Sequence, residues 1–148
     1  MRVLFDTNVV LDVLLARRPH VTVAVQLFER AARKQIDGLL GATSVTTLYY
    51  LAERTVGARQ ARGHVETLLT LFEVAPVGRA VLEGALDLGF ADFEDAVLHE
   101  AARLAGAMGI VTRDPRGFAR ATLRVYAPHE LLGVVDAGPS PPDRSPGT

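Results

Sequence analysis

The sequence predicts an α/β fold on a parallel sheet of four to five strands. Three observations lead there. Short apolar runs such as RVLF and GIVT alternate with longer amphipathic stretches, the pattern of strands joined by crossover helices. The chain has 148 residues, 49% hydrophobic and 22% charged, enough for one domain with a buried core. Carboxylates stand where apolar runs stop, Asp6 after the first and Asp114 after the fourth, and parallel sheets build sites at strand carboxyl ends.

Residues 2–5 are a short, continuous apolar run and read as a buried strand. Residues 9–15 read as helical, Arg17-Arg18-Pro19 interrupts the pattern, and residues 20–35 resume as an amphipathic helix. DGLLGA (37–42) is a weaker second strand. Thr43 and Ser44 are cap-type residues expected to open a helix to about Val56, with another over residues 57–71. FEVAPV (72–77) is a third strand, stopped by Pro76. Residues 79–88 read as a helix ended by Gly89, and residues 93–107 as an alanine-rich helix. GIVT (109–112) and LRVYA (123–127) are the fourth and fifth strands, and Pro128 starts a last short helix. The domain is expected over residues 1–132. Residues 133–148, reading DAGPSPPDRSPGT from Asp136, are expected to form a flexible Pro/Gly/Ser-rich tail.

Composition removes several functions. With net charge −1 and pI about 6.4 there is no global basic field, so any nucleic-acid binding must use a local patch. The lack of cysteine excludes disulfides, thiolate nucleophiles and zinc–thiolate sites, and fits a reducing, cytoplasmic setting. Lys34 is the sole lysine, which excludes lysine chemistry elsewhere. Asp6 and Asp12 interrupt the apolar N-terminus, and no small-residue cleavage site follows, so a signal peptide is not expected. No run approaches the ~20 apolar residues of a membrane span, and the GxxxxGK[ST] phosphate loop is absent.

The stretch DFED (92–95) sets three carboxylates at the mouth of an apolar helix. A local reading is available for each acid. Asp92 can cap the helix, with Asp95 three residues on completing a box. Asp6-Thr7-Asn8 can be a capping turn and Asp114-Pro115 a plain turn. If Asp6, Asp95 and Asp114 converge, however, each pair at ~4 Å repels by roughly 4 kcal/mol at an effective dielectric of about 20. Such a cluster needs a cation, and oxygen-only ligands suit Mg²⁺ or Mn²⁺. An ion so held can lower the pKa of a bound water and brace a phosphoryl group, the chemistry of phosphodiester hydrolysis.

VLFDTN, DFEDAVLHEAA and IVTRDPRGF, in that order, resemble the PIN domain, and most nearly the VapC-type ribonuclease toxins of bacterial toxin–antitoxin pairs. The resemblance covers residues 1 to about 132. It implies a three-layer α/β/α sandwich and Mg²⁺- or Mn²⁺-dependent endoribonuclease activity leaving 5′-phosphate and 3′-hydroxyl ends. It also implies a homodimer, and an antitoxin protein that blocks the site. Asp6, Asp95 and Asp114 match the family's metal-binding acids. Thr7, Asn8 and Thr112 match the small polar positions that orient them. One departure stands out: the family usually places a Glu on the helix after the second strand, and here the matching place is Thr47. Glu53 lies nearly two turns too far on. Some PIN subgroups also lack this Glu.

Asp92, which shares a helix face with Asp95 at i+3, is therefore taken as a further metal acid, with Asp12 as another candidate. His99, at i+4 from Asp95, reads first as a partly exposed histidine paired with a carboxylate, and alternatively as a general acid or as a residue that holds Asp95 in place. His20, His64 and His129 read as surface residues. Arg113 and Arg116, flanking Asp114, are the first candidates to meet RNA phosphates; Arg17, Arg18, His20 and Arg120 follow. Tyr49 and Tyr50 fit a core or interface better than base stacking.

Two rival functions compete with this reading. An aspartyl-nucleophile phosphatase wants an acid at position 8, which is Asn, and a cation that the distant Lys34 does not supply. A degenerate, non-catalytic PIN module binding RNA or protein draws support from Thr47.

Overall fold

Side chains of the first strand, β1 (Arg2–Phe5), alternate between two apolar layers. Val3 and Phe5 enter one and Leu4 the other. The same division recurs at Leu40 and Leu39 of β2 (Asp37–Gly41), and at Val111 and Ile110 of β4 (Gly109–Val111). These strands are buried on both faces, which is why their sequences are continuously apolar. The computed structural model describes residues 1–138. β3 (Glu73–Ala75) and β5 (Arg124–Tyr126) complete a five-stranded, all-parallel sheet in the order β3-β2-β1-β4-β5.

One layer is formed around α1 (Thr7–Leu14), α2 (Val21–Ala32), α3 (Ala42–Val56), α4 (Ala58–Leu71) and α7 (Pro128–Ala137). At its centre Phe5, Phe28 and Phe72 meet edge to face, with centroids 5.0–6.1 Å apart. Gly38 makes room for that cluster: a Cβ there would lie 2.6 Å from Phe72 Cδ1. The opposite layer holds α5 (Arg79–Asp87), α6 (Phe93–Leu104) and a 3₁₀ turn (Pro115–Phe118). The expected three-layer α/β/α sandwich is thus observed.

Strand order reverses at β1, which pairs with β2 on one side and β4 on the other. At that switch point the crossovers diverge and leave a crevice beyond the strand ends. The chain leaves β1 into α1 through Asp6, leaves β4 through Thr112 to Asp114, and enters α6 through Asp92.

Two expectations need correction. Thr43 and Ser44 do not cap α3. β2 runs directly into the helix, so its last residue, Gly41, occupies the cap position without a side-chain bond. Ser44 is buried inside the helix. The boundary at residue 132 cuts through α7, which continues to Ala137. Val135 packs on the core, and Asp136 makes paired 2.8 and 3.2 Å hydrogen bonds with Arg30. The helix persists there because it has apolar and ionic partners on α2. Residues 139–148, the rest of the expected tail, lie outside the described residues.

Candidate active site

The cleft at the switch point encloses about 360 Å³ and is lined by Asp6, Asn8, Arg17, Thr47, Asp92, Glu94, Asp95, Arg113 and Asp114, among others. Its floor is a hydrogen-bonded network built from β1 and β4. Asp6 occupies the N-cap position of α1 and accepts the Thr7 N–H at 2.7 Å. Its other oxygen accepts the Thr112 hydroxyl at 2.8 Å. Thr112 is fully buried, and its hydroxyl in turn accepts the Asp114 N–H and an Asn8 amide N–H, at 3.0 and 3.3 Å. The Asn8 amide also donates to Asp6, and its carbonyl oxygen accepts the Arg113 N–H at 3.2 Å. Every capacity of the Thr112 hydroxyl is used. The network ties together the ends of two strands 106 residues apart, so Asp6 and Asp114 are set by strand register rather than by loop choice.

The second group of acids comes from α6. Asp92 caps the helix, accepting the Glu94 and Asp95 N–H groups at 2.8 and 3.2 Å. Only half of the expected box forms, because the Asp95 side chain turns into the cleft instead of back to the cap. Gly117 of the 3₁₀ turn permits this: a Cβ there would collide with Asp95 Oδ2. Burial pushes the Asp95 carboxyl up to about 7, with repulsion from Asp92, Asp6, Glu94 and Asp114 adding to it. Burial also raises Asp6, against the opposing hydrogen bonds from Thr112 and Thr7 and with added repulsion from Asp114 and Asp92. The carboxylates therefore feel one another across the cleft, and the unbalanced charge calls for a cation.

Among the described residues, no three His, Asp or Glu side chains are gathered closely enough to hold an ion by direct contact alone. All-oxygen donors spread around an open cleft suit a small hard ion that keeps part of its water shell, as Mg²⁺ does. The donor set fits such an ion. Asp6, Asp92, Glu94, Asp95 and Asp114 all line the cleft and are the acids that could contribute oxygen ligands to it.

Several candidates fall elsewhere. Asp12 is fully buried and is not among the residues lining the cleft; Arg113 and Arg17 hold it at 2.6 and 2.9 Å. His99 is fully buried, neither partly exposed nor paired with Asp95. Its Nε2 accepts the Thr122 and Leu123 N–H groups at 3.0 and 3.3 Å, its ring lies 5.4 Å from Phe90, and burial lowers its pKa. A helical spacing of four places it near Asp95 in projection, but α6 is packed on the sheet beyond its first turn, and His99 belongs to that covered part. Arg116 is exposed and lines a neighbouring cleft with Arg120 and Phe90 rather than the acidic one. Thr47 does line the acidic cleft, its hydroxyl turned to the Thr43 carbonyl at 3.3 Å, whereas Glu53 is exposed and outside it. Tyr50 is exposed against Arg54, also outside the cleft. Glu94 and Gly117 were not singled out from sequence. Glu94 stands within DFED, while nothing local marks Gly117.

The PIN domain family profile matches residues 2–116. Ribonuclease VapC1 of Aquifex aeolicus (strain VF5) is 26% identical over 118 residues, covering 76% of this chain and 81% of that protein. Among solved structures, VapBC2 from Rickettsia felis bound to a DNA fragment from its promoter superposes with a TM-score of 0.67 at 15% identity, over 86% of this chain and 98% of that one. Mycobacterium tuberculosis VapC20, a sarcin-ricin loop cleaving toxin, gives 0.64 at 20% identity, over 79% and 93%. At such identities the structural likeness establishes the fold.

Proposed function

This chain belongs to the PIN domain family, and on that premise we propose that it is a metal-dependent endoribonuclease that hydrolyses RNA phosphodiester bonds as the toxin of a VapBC-type toxin–antitoxin pair. The observation that carries the reading is the meeting of Asp6, Asp95 and Asp114, from three distant segments, on one cleft at the sheet's switch point. The ribonuclease name of the Aquifex aeolicus relative supports it. So do the toxin and toxin–antitoxin neighbours.

A Mg²⁺ or Mn²⁺ ion, when bound, would activate water and brace the phosphoryl group. The chain's own groups do the rest. Thr112 and Asn8 hold the Asp6 carboxylate in one orientation. Gly117, lacking a Cβ, leaves room for the Asp95 carboxylate beside the 3₁₀ turn. Arg113 at the cleft wall, and Arg116 in the neighbouring cleft, are the proposed contacts to the RNA backbone. An antitoxin protein and a second copy of the chain are the proposed partners. A cysteine-free chain acting on RNA supports a cytoplasmic place of action; no described helix is long and apolar enough to cross a membrane.

A second reading, a non-catalytic PIN module, is favoured by Thr47 alone, which offers a neutral hydroxyl already engaged with the helix backbone. The two separate on incubation of the purified, partner-free chain with a mixed structured RNA pool and Mg²⁺ or Mn²⁺. Metal-dependent cleavage, lost in Asp6→Asn, is the expected result. If neither metal cleaves the RNA or raises the Tm of the wild-type chain, the binding-module reading replaces the nuclease.

A further inference from the structure

Asp12 is the most deeply buried carboxylate of the cleft region, yet it belongs to no acid cluster. Arg113 grips it through Nε and Nη2, at 2.6 and 3.1 Å. Arg17 adds Nε at 2.9 Å and sends Nη2 to the Asn8 backbone carbonyl oxygen at 3.0 Å. The two guanidiniums thus share one carboxylate. The trio carries net charge +1 and stands beside acids of the opposite sign. Both arginines line the acidic cleft, with side chains 38% (Arg17) and 28% (Arg113) exposed, while that of Asp12 is 1% exposed. Their Nη1 groups have no hydrogen-bond partner among the described residues.

A guanidinium presents donors in a planar fork suited to phosphate oxygens. Two such groups set side by side would repel and swing apart without the carboxylate between them. Asp12 lies one turn along α1 from Asn8, whose side chain belongs to the floor network under Asp6. The cationic wall is therefore held in register with the metal-facing acids by the same helix.

We propose that Asp12 is a positioning residue: it fixes Arg17 and Arg113 as a paired clamp for a backbone phosphate of the RNA next to the bond being cut. The inference rests on the nuclease reading and adds a substrate subsite to it.

The sign of one substitution tests it. Asp12→Asn removes a negative charge near the RNA path, which by simple electrostatics strengthens RNA binding. Loss of the clamp weakens it instead. Binding of a fluorescent single-stranded RNA oligonucleotide of mixed sequence is measured over a range of KCl concentrations, in the full chain carrying Asp6→Asn to prevent cleavage. Adding Asp12→Asn is expected to raise Kd about tenfold. It should also flatten the slope of log K against log salt by up to about 0.7, the share of one phosphate contact on a single strand. In the chain with Asp6 intact, Asp12→Asn should raise KM for cleavage while kcat stays within about threefold.

Kd unchanged or lowered by Asp12→Asn overturns the proposal. If that variant does not fold, Arg17→Gln and Arg113→Gln decide: each should weaken binding and flatten the slope by up to about 0.7, and two variants with the parent's Kd and slope overturn it. Wild-type cleavage remains a separate readout. A chain that cleaves normally but binds RNA independently of these residues loses the clamp and keeps the nuclease.

Discussion

Asp95 carries the largest burden of any single residue in the cleft. Its carboxyl, moved from 3.8 to about 7 by burial and by four neighbouring acids, holds a proton more tightly in the folded chain than in the unfolded one. Between about pH 4 and pH 7 the native state therefore binds more protons, and stability contributed by this group is present at low pH and lost as pH rises. In metal-free buffer, Tm is expected to climb as pH is lowered from about 8 to about 6, a window in which the lowered pKa of His99 opposes it only at the acid end. Asp95→Asn should flatten that profile and stabilise the metal-free protein at pH 8 by about 1 kcal/mol, allowing for solvent screening. The same variant should reduce RNA cleavage by about a hundredfold or more. Calorimetry across pH, with and without Mg²⁺, checks the first expectation, and an initial-rate assay checks the second; normal cleavage by Asp95→Asn removes the assignment.

At the scale of one element, α6 joins two jobs. Its first turn delivers Asp92, Glu94 and Asp95 to the cleft, and its remaining turns pack Ala96, Val97, Leu98 and Ala101 against the sheet and α5. Asp92→Ala should cost about 1 kcal/mol through loss of the cap, whereas Asp92→Ser should retain nearly all of it. If Asp92 also serves the ion, the Ser variant keeps its metal-free Tm but shows a smaller Mg²⁺-induced rise. Equal rises in wild type and Ser variant would leave Asp92 as a cap alone. His99 anchors the segment at Thr122 and Leu123, so His99→Leu should cost about 2 kcal/mol in urea unfolding. The folded variant should still cleave, and its pH–rate profile should match that of wild type; a general acid would predict the reverse.

The whole molecule is organised by the parallel sheet and closed on one side by α7. Chain ends add little unless they are docked, and α7 is docked through Val135 and through the Asp136 pair with Arg30, whose side chain is 17% exposed. Ending the chain at residue 132 should therefore lower Tm by about 3–5 °C, read by a thermal melt, while a chain ending at residue 138 retains all of α7 for comparison. An unchanged Tm on removal of residues 133–148 would show that the last turns of α7 contribute nothing.

The order of strands and helices was legible because apolar runs, Gly and Pro are local signals, and β1, β2 and β4 are buried on both faces. DFED and the Asp6 and Asp114 strand ends were legible as a concentration of like charge, and the cleft brings Asp6, Asp92, Glu94, Asp95 and Asp114 together. The cap of α3, the end of α7 and the burial of His99 were not, since each depends on a neighbour distant in sequence. Gly117 was invisible for the same reason: only packing of the 3₁₀ turn against α6 gives its missing Cβ a meaning. Asp12 and Arg113 lie 101 residues apart, and no spacing rule pairs them. By itself the sequence determined which residues bring charge and which elements carry them. The tertiary structure alone decided which charges meet, because strand order at the switch point brings β1 and β4 together and sends Asp12 inward to the arginines while Asp6 faces the cleft.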